Sequence, residues 1–213
     1  MMTKVTVISI SGRGRNATVD LDTGESRLLR RDILKEHGLE KGSQLDTQAL
    51  DKLTAESDRR RADDYAAYLL ARQEYSAGLL RAKLTGKGYG SQLAGEIVRD
   101  LAARGLVDDR RFALLAVESL MRRKPAGRQY LIAYLRRKHI AAELASDTVD
   151  RILKDVDEVE LAVGLLRRRW GQFSNLDLER RRAKAYNYLS RRAIGYGAAR
   201  KAFEKLTDEE TGN

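Results

Sequence analysis

The chain has 213 residues, 42% hydrophobic and 34% charged, and its 41 lysines and arginines outweigh 31 acidic residues for a net charge of +10. That balance supports buried cores rather than a disordered tail, and a single proline (Pro125) favours long helices over a loop-rich β fold. Cysteine is absent, which excludes disulfides and thiolate metal sites; His37 and His139 stand too far apart for an ordinary zinc site; no apolar run approaches the ~20 residues that span a bilayer; and Met1–Ile10 lacks the layout of a secretory signal, so a cytoplasmic protein without membrane contact is expected.

Residues 3–10 (TKVTVISI) are β-branched and roughly alternating, which predicts a strand. Residues 16–21 and 25–30 flank Asp22-Thr23-Gly24 and predict a hairpin, with Gly24 supplying the positive φ of its turn. Arg31 to His37 predicts a short helix closed by Gly38. Leu39, Gly42 and Leu45 predict a compact turn, and Asp46 or Thr47 caps the next helix. Residues 1–50 therefore read as a small β-hairpin-containing module, too small to be stable unless it packs on the helices beyond residue 50.

From residue 51 onward the pattern is helical, and it repeats. With Leu84, Leu135 and Leu189 as anchors, the residues five further on are Tyr89, Ile140 and Ile194. Fourteen further on are Val98, Val149 and Phe203, and seventeen further on Leu101, Ile152 and Leu206. The anchors lie 51 and 54 residues apart and the segments align without a gap, which marks an internal repeat. The expected units are residues 51–106, 107–154 and 155–213, each of three helices. In each, an opening helix carries Tyr65, Phe112 or Leu161, a second ends at the anchor leucine, and a third carries the paired apolar positions. The predicted fold is mainly α, with tandem three-helix repeats in an elongated curved array behind the N-terminal module.

Ser76 reads as an N-cap, and Asp108 or Asp109 as the cap of the helix that opens the second unit. Gly86-x-Gly88-x-Gly90 follows a helix rather than a strand, so it reads as a turn and not as a phosphate cradle. The chain offers no phosphate-loop motif, no metal-ligand spacing and no nucleophile with partners arranged in sequence, so neither an enzyme nor a cofactor is expected.

Several short motifs point to a family. Arg72-x-x-Tyr75-Ser76-x-x-Leu79-Leu80-x-x-Lys83-Leu84, then Gly105-Leu106-Val107-Asp108-Asp109-x-x-Phe112-Ala113, then Gly127 with Leu135-x-x-Lys138-His139-Ile140, occur in this order and coincide with the repeat. Together they resemble the RecX regulatory proteins, bacterial modulators of the RecA recombinase, clearly over residues 60–155 and by layout elsewhere. The chain departs from the family pattern at Leu79, where an acidic or amide residue is usual, and at His139, where glycine is usual. The resemblance implies a protein that binds the RecA–single-stranded-DNA filament, lies in its groove and suppresses ATP hydrolysis, strand exchange and co-protease action. It implies no catalytic residue and is compatible with a monomer. The alternative is a stand-alone DNA-binding protein, transcriptional or architectural, working through basic helix pairs.

Charge places the candidate interface. Residues 107–154 carry 11 basic and 6 acidic side chains, and from Arg122 to Lys138 there are seven basic residues and no acidic one. The expected polyanion-binding residues are Arg122, Arg123, Lys124, Arg128, Arg136, Arg137 and Lys138, extended into the third unit by Arg167, Arg168, Arg181 and Arg182. Three adjacent arginines on a helix span about 200° of its circumference, so some must face solvent or acidic partners instead. Tyr130, Tyr134, Tyr186 and Tyr188 stand near these cations and could stack on bases, but they read first as core. Trp170 and Phe173 likewise read first as core.

Overall fold

Alternation in the first strand puts Val5 and Val7 on one face, where they are buried with Ala17, Val19, Leu21 and Leu29. The fold built on this face is seen in a computed structural model that describes residues 4–212; Thr3, where the first strand was expected to begin, lies outside them. Strands β1 (Lys4–Ser11), β2 (Asn16–Leu21) and β3 (Ser26–Arg30) form an antiparallel meander. Gly24 makes its turn with φ +83° and an amide donating to the Leu21 carbonyl at 3.0 Å. Helix α1 (Arg31–Glu36) comes next and is closed by Gly38 at φ +60°.

The turn expected at residues 39–45 also contains a strand. Residues Gln44–Asp46 form β4, which pairs with Lys4–Thr6 and completes the sheet order β3-β2-β1-β4. Three residues are too few to show a period, so the pairing of β4 is specified by β1 and not by its own pattern. Asp46 is indeed the cap of α2 (Thr47–Leu70), accepting from the Ala49 amide at 2.6 Å. This helix runs unbroken across the boundary expected at residues 50–51 and packs on β3 and β4. Ser57, fully buried on α2, accepts the Arg30 amide at 2.9 Å.

Arg30 also ties the sheet to α2 through charge. Its guanidinium donates to the Asp32 carboxylate at 2.7–3.1 Å and to Asp64 at 2.5 Å. The hydrogen bonds from Arg30 lower the Asp32 carboxyl to about 2. A carboxylate depressed in the folded state contributes stability that is present above its unfolded value, about 3.9, and is lost as pH falls through the folded one. The stability difference between the wild-type chain and Asp32→Asn should therefore shrink as pH falls from about 4 to about 2. Urea titrations across that range check it, and high salt should reduce the whole difference because the pair is partly exposed.

The helices then fall into triplets. The first is α2, α3 (Ala77–Gly86) and α4 (Ser91–Ala103). The second is α5 (Asp109–Arg123), α6 (Arg128–Arg137) and α7 (Ala142–Leu153). The third is α8 (Glu158–Arg167), α9 (Leu178–Ser190) and α10 (Tyr196–Thr211), with a 3-10 turn at Trp170–Phe173. The three anchor leucines are completely buried, and Val98, Val149 and Phe203 are buried with them. By contact the chain divides into two compact units, one holding residues 1–74 and 80–106 and the other 75–79 and 107–213.

Within the second unit one contact recurs at repeat spacing. Asp108 caps α5, accepting from Arg110 and Arg111 amides at 2.8 and 3.1 Å, while Asp109 accepts the Ala77 amide at 2.7 Å. Ser76, eight residues before its anchor, accepts from the Leu79 amide at 3.1 Å and donates its hydroxyl to the carbonyl of Lys138, three residues after the next anchor. Gly127, again eight before its anchor, donates its amide at 2.7 Å to the carbonyl of Arg192, three after the following one. In both cases a second helix begins on the turn that ends the next repeat's second helix.

That turn needs a left-handed residue four after the anchor. The first repeat places Gly88 there at φ +102°, whereas the second uses His139 at +60° and the third Ala193 at +56°. The backbone conformation accounts for the glycine of the motif that His139 replaces. A residue with a Cβ costs ~1–2 kcal/mol in this conformation. After the extra chain entropy of glycine is subtracted, Ala193→Gly should stabilise the fold by roughly 0.5–1 kcal/mol, read as a higher denaturation midpoint.

Candidate nucleic-acid interface

The loop between α5 and α6 carries Lys124, Pro125, Ala126 and Gly127, and the turn after α9 carries Arg191 and Arg192. Besides the Gly127 amide bond, the Arg192 guanidinium donates to the Pro125 carbonyl at 3.0 Å. These two contacts bring cations from distant stretches together around Tyr130, near the start of α6. The Lys124 ammonium lies 5.3 Å from the Tyr130 ring centroid. The Tyr130 phenol is held below the ordinary tyrosine value, chiefly by Lys124 at its hydroxyl, with the charges of Arg137 and Arg192 acting in the same direction. A half-buried tyrosine with an ammonium over its ring and two further guanidinium charges acting on its phenol is an anion-attracting site.

The free cations matter more than the total. Among the described residues, Arg122, Arg123, Lys124, Arg136, Arg137, Lys138, Arg168, Arg169, Arg191 and Arg192 make no ion pair with a carboxylate. Some are steered by neutral acceptors: Arg123 donates to the Ser119 carbonyl at 3.3 Å and Arg136 to that of Ile140 at 3.1 Å. Others lie over rings, Lys138 at 5.7 Å from the Tyr134 centroid and Arg169 and Arg192 at 4.9 and 4.8 Å from that of Tyr188. Tyr134 and Tyr188 sit one residue before their anchors, and Lys138 and Arg192 three after. Tyr130, Tyr134 and Tyr188 are therefore half-buried rings with cations over them.

The remaining expected residues are committed elsewhere. Arg128 binds Asp150 through two nitrogens at 2.6 and 2.8 Å and Ser146 at 2.7 Å. Arg167 pairs with Glu209 at 2.8 Å and Arg182 with Glu179 at 2.7 Å; Arg168 is exposed. Arg181 is not at the surface. It is 8% exposed, with its guanidinium 3.9 Å from the Trp170 ring centroid and 2.6 Å from Glu210. It stands eight residues before its anchor, where Ser76 and Gly127 dock on a following repeat. In the third repeat this position is filled by a side chain buried against Trp170, so Arg181 is structural and leaves the interface. Trp170 itself packs edge-on against Phe203 at 5.5 Å, and Phe173 is buried in the same core.

Sequence reasoning carried Arg169 only as part of the Arg167–Arg169 run and omitted Arg191 and Arg192. For Arg192 the signal was available: counting three residues from each anchor gives Lys87, Lys138 and Arg192. It also passed over a cluster in which Glu36, His37 and Glu56 bring ligand-type atoms within 4.8 Å of one another. The Arg60 guanidinium stands between those carboxylates, 2.7 Å from Glu36 and 2.6 Å from Glu56, so the cluster already holds a cation.

A family model described as "RecX, second three-helix domain" matches residues 108–149, the α5–α7 triplet that carries Lys124, Tyr130 and Arg137. The regulatory protein RecX of Xanthomonas campestris pv. campestris is 35% identical over 136 residues, covering 63% of this chain and 80% of the relative. The chain belongs to the RecX family. RecX of Syntrophotalea carbinolica is 30% identical over 130 residues, 61% of this chain and 85% of the relative. The fold agrees as well. A crystal structure of regulatory protein RecX superimposes with a TM-score of 0.63 at 20% identity, over 91% of this chain and 96% of that one. RecX from Lactobacillus salivarius gives 0.60 at 20% identity, over 70% and 97%. The role carried by the family name is regulatory. Among the described residues no helix is long and apolar enough to cross a membrane.

Proposed function

We propose that this chain is a non-enzymatic, cytoplasmic negative regulator of the RecA recombinase, working as a monomer on the RecA–single-stranded-DNA filament. In this reading it lowers filament ATP hydrolysis, strand exchange and co-protease action, and so tempers DNA repair and the SOS response. Membership in the RecX family supports the partner. The observation that carries the DNA side is the set of cations without carboxylate partners that converges on Tyr130 from the α5–α6 loop, the end of α6 and the turn after α9. Unpaired lysines and arginines can exchange counterions for phosphates without first breaking an internal ion pair. The proposed interface therefore keeps Arg122, Arg123, Lys124, Arg136, Arg137, Lys138 and Arg168, adds Arg169, Arg191 and Arg192, and assigns Arg128, Arg167 and Arg182 to its internally paired edge.

The direct test is the ATPase of RecA on single-stranded DNA with added purified chain. Inhibition at well below one regulator per recombinase protomer is expected. Unchanged hydrolysis at equal amounts would sink the proposal. Tight, sequence-selective binding to duplex DNA without the recombinase would favour a stand-alone DNA-binding protein instead.

A further inference from the structure

The helix α2 carries a second group of rings and cations, in the first unit and distinct in sequence from the Tyr130 cluster. Tyr65 and Tyr68 are three residues apart on it, so they share a face. Their rings lie 6.5 Å apart, inclined by 17°. The Arg72 guanidinium lies 4.7 Å from the Tyr68 centroid and donates to its hydroxyl at 2.5 Å. At the other end the Lys87 ammonium, from the turn after α3, lies 5.8 Å from the Tyr65 centroid. The order along the strip is cation, ring, ring, cation. Tyr68 is 52% exposed, far more than core packing requires.

The charge pattern on the same helix separates this strip from its surroundings. Arg59, Arg60 and Arg61 each engage a carboxylate, through Asp100 and Glu96, Glu36 and Glu56, and Asp58 respectively. Arg72 and Lys87 engage rings and, among the described residues, no carboxylate. A solvated helix face would show the first pattern throughout. The second combines an exposed tyrosine ring with cations that have no carboxylate to leave before meeting a phosphate, which is the chemistry of sequence-tolerant single-strand binding. An acidic protein surface would also meet such cations, but it does not call for adjacent near-parallel rings. A duplex offers its phosphates but no open base face.

We infer that Tyr68, backed by Tyr65 and flanked by Arg72 and Lys87, is a stacking site for an unpaired base of single-stranded nucleic acid. The inference rests on the proposed function for its ligand and adds a selectivity: this strip reads strandedness, whereas the cations around Tyr130 read charge. One exposed ring supplies the stacking, and the flanking cations hold the phosphates of the same and the neighbouring nucleotide.

The test uses the full chain and fluorescence anisotropy with a labelled oligothymidylate and with a duplex of equal length. Tyr68→Ala should weaken single-strand binding by roughly tenfold and leave duplex binding within about twofold. Tyr68→Trp should restore or exceed wild-type affinity, and Arg72→Ala should lower the salt slope by about one. Thermal unfolding confirms that these surface variants fold. Equal single-strand affinity of Tyr68→Ala and wild type would overturn the stacking site. If charge reversal around Tyr130 still abolished binding in that case, the proposed function would stand without it. If the wild-type chain bound neither oligonucleotide nor filament, the proposed function would fall too. Weakened capture of DNA-free recombinase by Tyr68→Ala, with oligonucleotide binding intact, would reassign the strip to a protein partner and also overturn the inference.

Discussion

Gly127→Ala is expected to be the most destabilising single-methyl addition at the junction of the second and third repeats. A Cβ built at Gly127 falls 2.1 Å from the Ala193 carbonyl oxygen and 2.8 Å from its carbon. Both are backbone atoms of the turn after α9, so no side chain can swing aside. Relief requires the α5–α6 loop and that turn to separate by roughly an ångström, the shortfall from ordinary contact. Separation breaks the Gly127 amide bond to Arg192 and the Arg192 bond to the Pro125 carbonyl. Overpacking of this kind costs ~1–3 kcal/mol and each lost buried hydrogen bond adds ~1 kcal/mol, so a loss of roughly 2–4 kcal/mol is expected in urea denaturation. Gly78→Ala offers a useful comparison, since its Cβ would meet the His139 Cβ at 2.4 Å. Combining it with His139→Gly removes the colliding atom and the left-handed strain together, and should recover most of the stability. No such rescue exists for Gly127, because the obstacle there is main chain. If Gly127→Ala unfolded within about 0.5 kcal/mol of wild type, the close approach of the two turns would be wrong.

The repeat was legible because its signal is apolar and periodic. Burial of Leu84, Leu135 and Leu189 follows from spacing alone, and the helix triplets follow from the same register. Ser76 and Asp108 were legible as caps because capping is local. What escaped is non-local. Strand β4 exists through its pairing with Lys4–Thr6, and three residues hold no pattern of their own. Arg181 stands in a run of three arginines and looks like its neighbours, yet it is buried by Trp170, eleven residues before it, and Glu210, twenty-nine after it. The Tyr130 site draws on Lys124, Arg137 and Arg192, and the last of these joins only through a turn-to-turn contact. Charge density located the right stretch of chain, but it could not separate Arg137, which is free of carboxylates, from Arg128, which is spent on Asp150.

The free and the paired cations should respond differently to charge reversal. Charge reversal at Lys124, Arg137 and Arg192 together should abolish single-strand and filament binding at moderate salt. Each removes one counterion exchange and adds a repulsion, so the log–log salt slope should fall by about three or become unmeasurable. Reversal of Arg128, Arg167 and Arg182, the same change in net charge, should weaken binding far less, because those side chains already face Asp150, Glu209 and Glu179. Equal losses in the two triple variants would mean that net charge, and not the converging site, governs binding. Tyr130 provides an internal reporter. Its phenol should titrate below those of Tyr89 and Tyr186, which burial pushes up. A phosphate seated among the three cations cancels the field that favours the phenolate, so saturation with oligonucleotide should move the Tyr130 midpoint upward. In the Lys124, Arg137 and Arg192 variant the midpoint should already be high and should not respond. A wild-type Tyr130 that titrates with its neighbours and ignores the oligonucleotide would place the bound phosphates elsewhere, first on the exposed Arg168 and Arg191.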